Sequence, residues 1–184
     1  MAFLSEKLIS ASGATEETDD DFNLVTGLYH FDGSNGAQNN TLLDSSPESH
    51  TVTRNADIVQ GTFSPFSSDE GKWSVEFDGT DDYIDVASGA TQLGSGDFTV
   101  EFWIKTTDTS FNLANPDDST GSGYWGLLMQ SGDLRWNDSY AVSNKWVVDG
   151  AALTDNQWHH VAIVRASGTF AVYYDGTSQS IQSG

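Results

Sequence analysis

Short segments of alternating apolar and polar residues recur along this chain, and they constrain its fold more than any other feature. The longest is Asp97–Lys105, in which Phe98, Val100, Phe102 and Ile104 occupy alternate positions. Because successive side chains of a strand point to opposite faces of a sheet, this spacing predicts one apolar and one polar face. The other predicted strands are Gly27–Asp32, His50–Asn55, Trp73–Asp78, Tyr83–Val86, Tyr124–Gln130, Asp133–Asn137, Lys145–Asp149, Gln157–Arg165 and Thr169–Asp175.

Turn residues separate the predicted strands, most of them Asp-Gly or Ser-Gly pairs. About ten short strands with such turns, and no long helical pattern, predict an all-β sandwich or barrel. The longest predicted loop is the polar segment 106–123, TTDTSFNLANPDDSTGSG. The turns are Asp78-Gly79, Gly94-Ser95-Gly96, Ser131-Gly132, Asp149-Gly150 and Asp175-Gly176.

The balance of charge limits the partners of the chain. Its 184 residues include 27 acidic and 7 basic ones, for a formal net charge of −20. A chain this acidic offers no broad basic face, so we expect it to bind neither nucleic acid nor an anionic membrane. It has no cysteine, which excludes disulfides, cysteine-bound zinc and thiol nucleophiles. No apolar run is long enough to predict a membrane span, and Glu6 and Lys7 interrupt the apolar start, so we predict no secretory signal.

The first 22 residues differ from the rest of the chain. Apolar residues fall there at helical spacing, and the acidic block Thr15–Asp21 follows them. Two interpretations stay open: a frayed, solvated terminus, or a short helical or extended arm that folds only against a partner. We therefore divide the chain into an arm with an acidic linker, residues 1–22, and a sandwich domain, residues 23–184. In the second interpretation the partner-binding residues are Phe3, Leu4, Leu8 and Ile9.

Three stretches together resemble the laminin-G-like, concanavalin A-like lectin-glucanase family. They are Leu28–Thr53, then Val75–Val86 running into Gly94–Lys105, and finally Gln157–Gly176, which reads QWHHVAIVRASGTFAVYYDG. The resemblance covers roughly residues 27–184 and implies an antiparallel two-sheet jelly roll. Domains of this family usually continue past the final hairpin with several strands. The resemblance therefore implies that C-terminal strands are missing from this sequence or supplied by a partner.

A second resemblance concerns Phe22–Asn40, FNLVTGLYHFDGSNGAQNN, which together with the acidic linker before it is similar to structural proteins of marine tailed bacteriophages. It implies a virion protein assembled in the host cytoplasm. Its expected partners are other capsid or tail proteins, copies of itself, and glycans of the host surface.

The sequence does not predict an enzyme. Glucanases of this superfamily are similar in carrying two glutamates, with an aspartate between them, on one face of a strand, as a retaining mechanism requires. Here Glu76 and Asp78 stand together, but the next glutamate is the distant Glu101. No nucleophile elbow and no phosphate-binding glycine loop occurs either.

Two adjacent histidines, His159 and His160, invite a metal-site interpretation. Neighbouring residues of a strand point to opposite faces, so the pair cannot chelate one ion together. The family resemblance implies that His160 is a packed, hydrogen-bonded structural residue. We expect His159, on the opposite face, to be the freer of the two.

Calcium is the cofactor that the resemblance raises, since many relatives hold this ion with Asp and Asn side chains and loop carbonyls. The densest acidic cluster offers Asp78, Asp81 and Asp82, with Asp85 beside them. Two alternatives stay open, at Asp32 with Asn35 and at Asp117 with Asp118. With 27 acidic residues in the chain, some clustering is expected by chance.

Carbohydrate binding would require aromatic platforms with polar groups nearby. The candidate ligand-binding residues are Trp125, Trp136 and Trp146, with Tyr124 and Tyr140 in the same part of the chain. The alternative is that these indoles belong to the core, as most do in a sandwich. Two functions stay open: a non-enzymatic bacteriophage capsid or tail protein for decoration or adhesion, and a carbohydrate-binding module, calcium-dependent or not, of an extracellular or cell-surface protein.

Overall fold

The computed structural model describes residues 19–31, 42–61, 65, 74–87, 93–114, 125–138 and 144–183. The chain forms two compact units, Met1–Ala90 and Thr91–Gly184. Within the described residues, no helix is long and apolar enough to cross a membrane. The predicted arm residues Phe3, Leu4, Leu8 and Ile9 lie outside the described residues. The division into an arm of residues 1–22 and a domain of residues 23–184 stays a prediction.

The first unit contains two strand pairs and a short 3₁₀ turn, Phe22–Leu24. Strand β1 (Val52–Asn55) pairs antiparallel with β4 (Tyr83–Val86). Strand β2 (Val59–Gly61) pairs antiparallel with β3 (Ser74–Glu76). The predicted strand Gly27–Asp32 was wrong over its described part, because only an isolated bridge between Tyr29 and Asp44 forms there.

A buried carboxylate holds that bridge in place. Asp44 is 8% exposed and accepts hydrogen bonds from the backbone N–H of Leu28, Ser46 and His50, each at 2.9 Å. Its second oxygen also lies 2.9 Å from His50 Nδ1. Burial alone would raise the pKa of Asp44, but these hydrogen bonds outweigh it and lower the pKa well below its usual value. A side-chain clamp thus replaces the ladder of backbone bonds that the alternating pattern predicted.

The second unit contains nine strands and a 3₁₀ turn, Ala151–Leu153, among its described residues. One sheet has the order β12-β11-β10-β5 and the other β13-β9-β8-β7-β6, and every pairing is antiparallel. The strands are β5 (Phe98–Ile104), β6 (Phe111–Ala114), β7 (Trp125–Gln130), β8 (Asp133–Asp138), β9 (Asn144–Asp149), β10 (His159–Ala166), β11 (Thr169–Tyr174), β12 (Thr177–Ser178) and β13 (Gln182–Ser183).

Aromatic side chains join the two sheets face to face. Phe98 of β5 stacks on Trp136 of β8 with ring centroids 5.5 Å apart. Phe170 of β11 contacts both Trp136 and Trp146, at 5.6 and 5.9 Å. Around them the inward residues of β10 and β11, such as Ile163 and Val172, are fully buried. The prediction of an all-β antiparallel sandwich is therefore confirmed.

Four short strands were not predicted: β2, β6, β12 and β13. Strand β6 lies within the segment 106–123 that was predicted to be a loop, and a register shift interrupts its pairing with β7 between Asn112 and Ala114. Such short strands carry too few alternating positions to stand out from a polar loop. The predicted apolar face of β5 is confirmed, since Val100 and Phe102 are buried.

Candidate functional site

A cleft of about 230 Å³ opens at one end of the sandwich in the second unit. Here β5, β7 and β11 begin and β8 and β10 end. Its aromatic lining consists of Phe98, Trp125, Trp136 and Phe170. Both phenyl rings are half-buried, whereas each indole is only 3% exposed. A ligand would therefore meet mainly the phenyl rings.

The indoles behind the cleft form a continuous stack. Trp136 lies parallel to Trp125, with centroids 4.7 Å apart and planes 5° apart, and stacks on Trp146 at 6.0 Å. Trp146 is 2% exposed and is not among the described lining residues of the cleft. These three residues do not form an exposed platform, because the packing of the two sheets buries them. That they contact a ligand stays a prediction, and Trp125 and Trp136 border the cleft where this would happen.

Two cationic side chains complete the lining, and sequence reasoning missed both. Arg165 comes from the end of β10, and Lys145 comes from β9 in the opposite sheet. Among the described residues that line the cleft, none is acidic. The signal that could have found Arg165 is its place in the alternation: it follows the buried Val161 and Ile163 at the same spacing, so a cation occupies a core-facing position.

The rim of the cleft is tied together by hydrogen bonds. Arg165 Nη1 donates to the carbonyl oxygens of Gly94 at 3.4 Å and Gly96 at 3.1 Å. The Asp97 carboxylate accepts from the N–H of Ser167 at 2.7 Å. These bonds connect the turn before β5 with the turn between β10 and β11. The two turns that border the cleft are thus held to each other by hydrogen bonds within the protein.

At the other end of β10, His159 lies between two carboxylates. Its Nδ1 is 2.7 Å from Asp175 Oδ2, and its Nε2 is 3.0 Å from Asp155 Oδ1. The expectation that His159 is the freer histidine was therefore wrong. Partial burial lowers its pKa, but the hydrogen bonds to Asp175 and Asp155 outweigh burial and raise it. Sequence spacing could not reveal this contact, because Asp175 reaches the histidine only through the β10–β11 pairing.

His160 behaves as the resemblance implied. Its Nε2 lies 3.2 Å from Glu101 Oε2, and its ring lies 5.2 Å from that of Trp103. Its backbone N–H donates to Asp175 Oδ1 at 2.8 Å. The prediction of a packed, hydrogen-bonded histidine is confirmed, and the Glu101 carboxylate lies beside its ring.

The acidic cluster of the first unit differs from the predicted set by one residue. Carboxylate oxygens of Asp57, Asp78 and Asp81 all lie within 4.8 Å of one another, and all three residues are exposed. The Asp82 carboxylate instead accepts the N–H groups of Asp57 at 3.1 Å and Asp78 at 2.8 Å, and so shapes the turn.

Calcium takes six to eight oxygen ligands, and three carboxylates supply only part of such a shell. That Asp78, Asp81 and Asp82 hold calcium stays a prediction. Both alternative sites, Asp32 with Asn35 and Asp117 with Asp118, lie outside the described residues.

Two antiparallel sheets packed face to face define a β-sandwich of the concanavalin A-like kind. The Laminin_G_3 model, described as the concanavalin A-like lectin/glucanases superfamily, matches residues 78–184. This is more than half of the chain, which therefore belongs to that superfamily. A comparison with curated proteins found no match. The predicted family is confirmed over the matched residues, whereas the resemblance of Phe22–Asn40 to bacteriophage proteins stays a prediction.

Proposed function

We propose that this chain is a non-enzymatic carbohydrate-binding module whose ligand occupies the cleft at the end of the sandwich. The observation that carries the proposal is the combination, in one cleft, of half-buried aromatic rings with cationic hydrogen-bond donors. Aromatic rings pack against the apolar side of a sugar ring, and a few convergent polar groups fix its orientation. Membership of a superfamily that includes lectins supports this choice.

The chemistry of the cleft supports binding rather than hydrolysis. Glycoside hydrolysis uses a pair of carboxyl groups on either side of the scissile bond. The described lining of the cleft contains no Asp, Glu or His. Glu101 lies on the opposite face of its sheet from Phe98, with its carboxylate 3.2 Å from His160 Nε2.

The test is a binding titration of oligosaccharides with two variants that alter the cleft in opposite ways. Phe170→Ala removes one of the two phenyl rings that line the cleft, and Ser95→Trp adds a bulky side chain at an exposed position of the lining. We expect Phe170→Ala to weaken binding about tenfold or more, as loss of an aromatic anchor does, and Ser95→Trp to abolish it.

Matched controls lie outside the described lining. Phe77→Ala changes an exposed phenylalanine, and Ser178→Trp changes an exposed serine of β12. Both should bind like the wild type. If no oligosaccharide binds, or if Ser95→Trp binds as well as Ser178→Trp, the proposal is wrong.

A second proposal concerns where the module works. Its support is the similarity of Phe22–Asn40 to structural proteins of marine tailed bacteriophages. In this proposal the chain is a capsid or tail protein, and Phe3, Leu4, Leu8 and Ile9 attach it to another virion protein or to a further copy of itself. The sandwich would then be displayed toward host-surface glycans. The alternative location is the surface of a cell or the extracellular space.

Mass spectrometry of purified particles from the source tests the virion proposal. We expect the chain in a fixed, stoichiometric copy number. Removing residues 1–22 should abolish attachment and leave the thermal unfolding of the remaining chain unchanged. Absence from the particles would refute the location without affecting the carbohydrate proposal.

A further inference from the structure

The distribution of charge around the cleft is unlike that of the whole chain. Acidic residues outnumber basic ones 27 to 7, yet two of those seven, Lys145 and Arg165, line this one cleft, and its described lining holds no acid. An anion is repelled by most of such a protein at short range and attracted where cations converge. The cleft is therefore the place where an anionic group would be selected.

Strand register places Arg165 between the two phenyl rings. Arg165 is directly opposite Phe98 on β5 and directly opposite Phe170 on β11. Directly opposed residues of neighbouring strands point to the same face, so the three side chains form a row: ring, guanidinium, ring. A ligand lying along this row would meet apolar surface on both sides of a cationic centre.

Hydrogen bonds to the backbone hold the guanidinium in position. One of its nitrogens already donates to the carbonyl oxygens of Gly94 and Gly96. Guanidinium carries five N–H donors in a planar fork, so others stay available to a carboxylate or sulfate. Lys145 approaches the same cleft from the opposite sheet.

The size of the cleft limits the ligand. Sites for drug-sized molecules run from about 300 Å³ upward, whereas this cleft measures about 230 Å³. Such a space suits a single sugar ring better than an extended chain. Gly94 and Gly168 border it, and both have a positive φ, +57° and +79°, which favours glycine in these two turns.

We infer that the cleft binds an anionic sugar unit, with Arg165 and Lys145 on its carboxylate or sulfate and with Phe98 and Phe170 against its ring. This inference rests on the proposed carbohydrate function and adds the class of sugar. Hydrogen bonds between ionised groups are shorter and stronger than neutral ones, so the charged group should dominate the affinity.

The experiment compares three oligosaccharides of equal length by calorimetric titration: one with uronic acid units, one with sulfate esters and one neutral. We expect at least one acidic oligosaccharide to bind about tenfold or more tightly than the neutral one. The acidic oligosaccharide that binds more tightly identifies the anionic group as carboxylate or sulfate.

Two lysine variants distinguish the effect of a cation in the cleft from the effect of the net charge of the protein. Lys145→Gln removes a cation from the cleft, and Lys105→Gln removes one from an exposed position outside its described lining. Both change the net charge equally. Lys145→Gln should weaken binding of the acidic oligosaccharide about tenfold, the loss expected when one charge-assisted hydrogen bond is removed, and should leave neutral binding unchanged. Lys105→Gln should have no effect on either.

The outcomes distinguish the two proposals. Equal binding of acidic and neutral oligosaccharides, or equal losses in Lys145→Gln and Lys105→Gln, would overturn the anionic-sugar inference and leave the carbohydrate function standing. If no oligosaccharide binds, both proposals fail.

Discussion

At the scale of single residues, the histidine between two carboxylates is a contact that depends on pH. His159 joins Asp155, in the loop before β10, to Asp175, at the end of β11. Hydrogen bonds to the histidine lower the pKa of Asp155; for Asp175, burial opposes the shift, but its hydrogen bonds with His159 and His160 prevail and lower its pKa. The cluster therefore favours a protonated histidine and ionised carboxylates in the folded state.

This cluster predicts a window of pH in which it stabilises the fold. The histidine contribution is complete below its unfolded pKa, about 6.5, and is lost as pH rises through the raised folded pKa. The aspartate contribution is complete above the unfolded value, about 3.9, and is lost as pH falls through the lowered folded pKa. Both contributions are thus complete between about pH 4 and pH 6.5.

We expect His159→Gln to reduce the free energy of unfolding most within that window and progressively less at higher and lower pH. Urea unfolding of both proteins across the pH range measures this difference. The control is Arg135→Gln, which removes a cation paired to Asp133 at 3.3 Å on another strand. A difference for His159→Gln that does not change with pH would contradict the assignment.

Residue-scale chemistry also shows why the tryptophans were hard to assign from sequence. The residue type alone does not show whether a tryptophan in a strand packs in the core or contacts a ligand. What decides is the partner on the other sheet, and here Phe170 packs on both Trp136 and Trp146. Such pairing is fixed by the tertiary fold, so spacing along the chain could not reveal it.

At the scale of elements, the long strands were predictable and the short ones were not. Strands β5, β10 and β11 carry enough alternating positions for the sequence to predict which of their faces is buried. Strand β6 has four residues and an irregular register, and residues 27–31 depend on the Asp44 clamp rather than on a ladder. Local pattern therefore identified the three longer strands of the four-stranded sheet and missed several strands of two to four residues, whether their partner is adjacent in sequence, as for β6 and β12, or further away, as for β13.

The turn after β9 requires a glycine because of a close backbone approach. A Cβ at Gly150 would lie 2.7 Å from the Gly132 carbonyl oxygen and 2.7 Å from Met129 Cε. The Gly150 N–H also donates to that carbonyl at 3.0 Å. The turn between β7 and β8 is thereby fastened to the end of β9.

We expect Gly150→Ala to lower the free energy of unfolding by about 1–3 kcal/mol, the usual cost of inserting a group into a packed site. Chemical denaturation measures it. Gly96→Ala is the matched control, since a Cβ there meets nothing within 4 Å. Equal stability of the two variants would contradict the contact.

At the scale of the whole molecule, the sequence predicted the fold class and the family but not the candidate site. Periodicity and turn residues were sufficient to predict an all-β sandwich or barrel, because they report burial averaged over many residues, and the family resemblance implied the two-sheet sandwich. The cleft depends on the register that sets Arg165 beside Phe98 and Phe170, residues 67 positions upstream and five downstream of it along the chain. The acidic composition argued against binding nucleic acid or an anionic membrane through a broad basic face, but it could not reveal that Lys145 and Arg165 line one cleft.

A crystal structure of the protein with an acidic oligosaccharide would show directly whether an anionic sugar occupies the cleft. We expect one sugar ring there, with its carboxylate or sulfate within hydrogen-bond distance of Arg165 and its ring against Phe98 and Phe170. A sugar bound elsewhere on the sandwich, with the cleft holding only water, would contradict it.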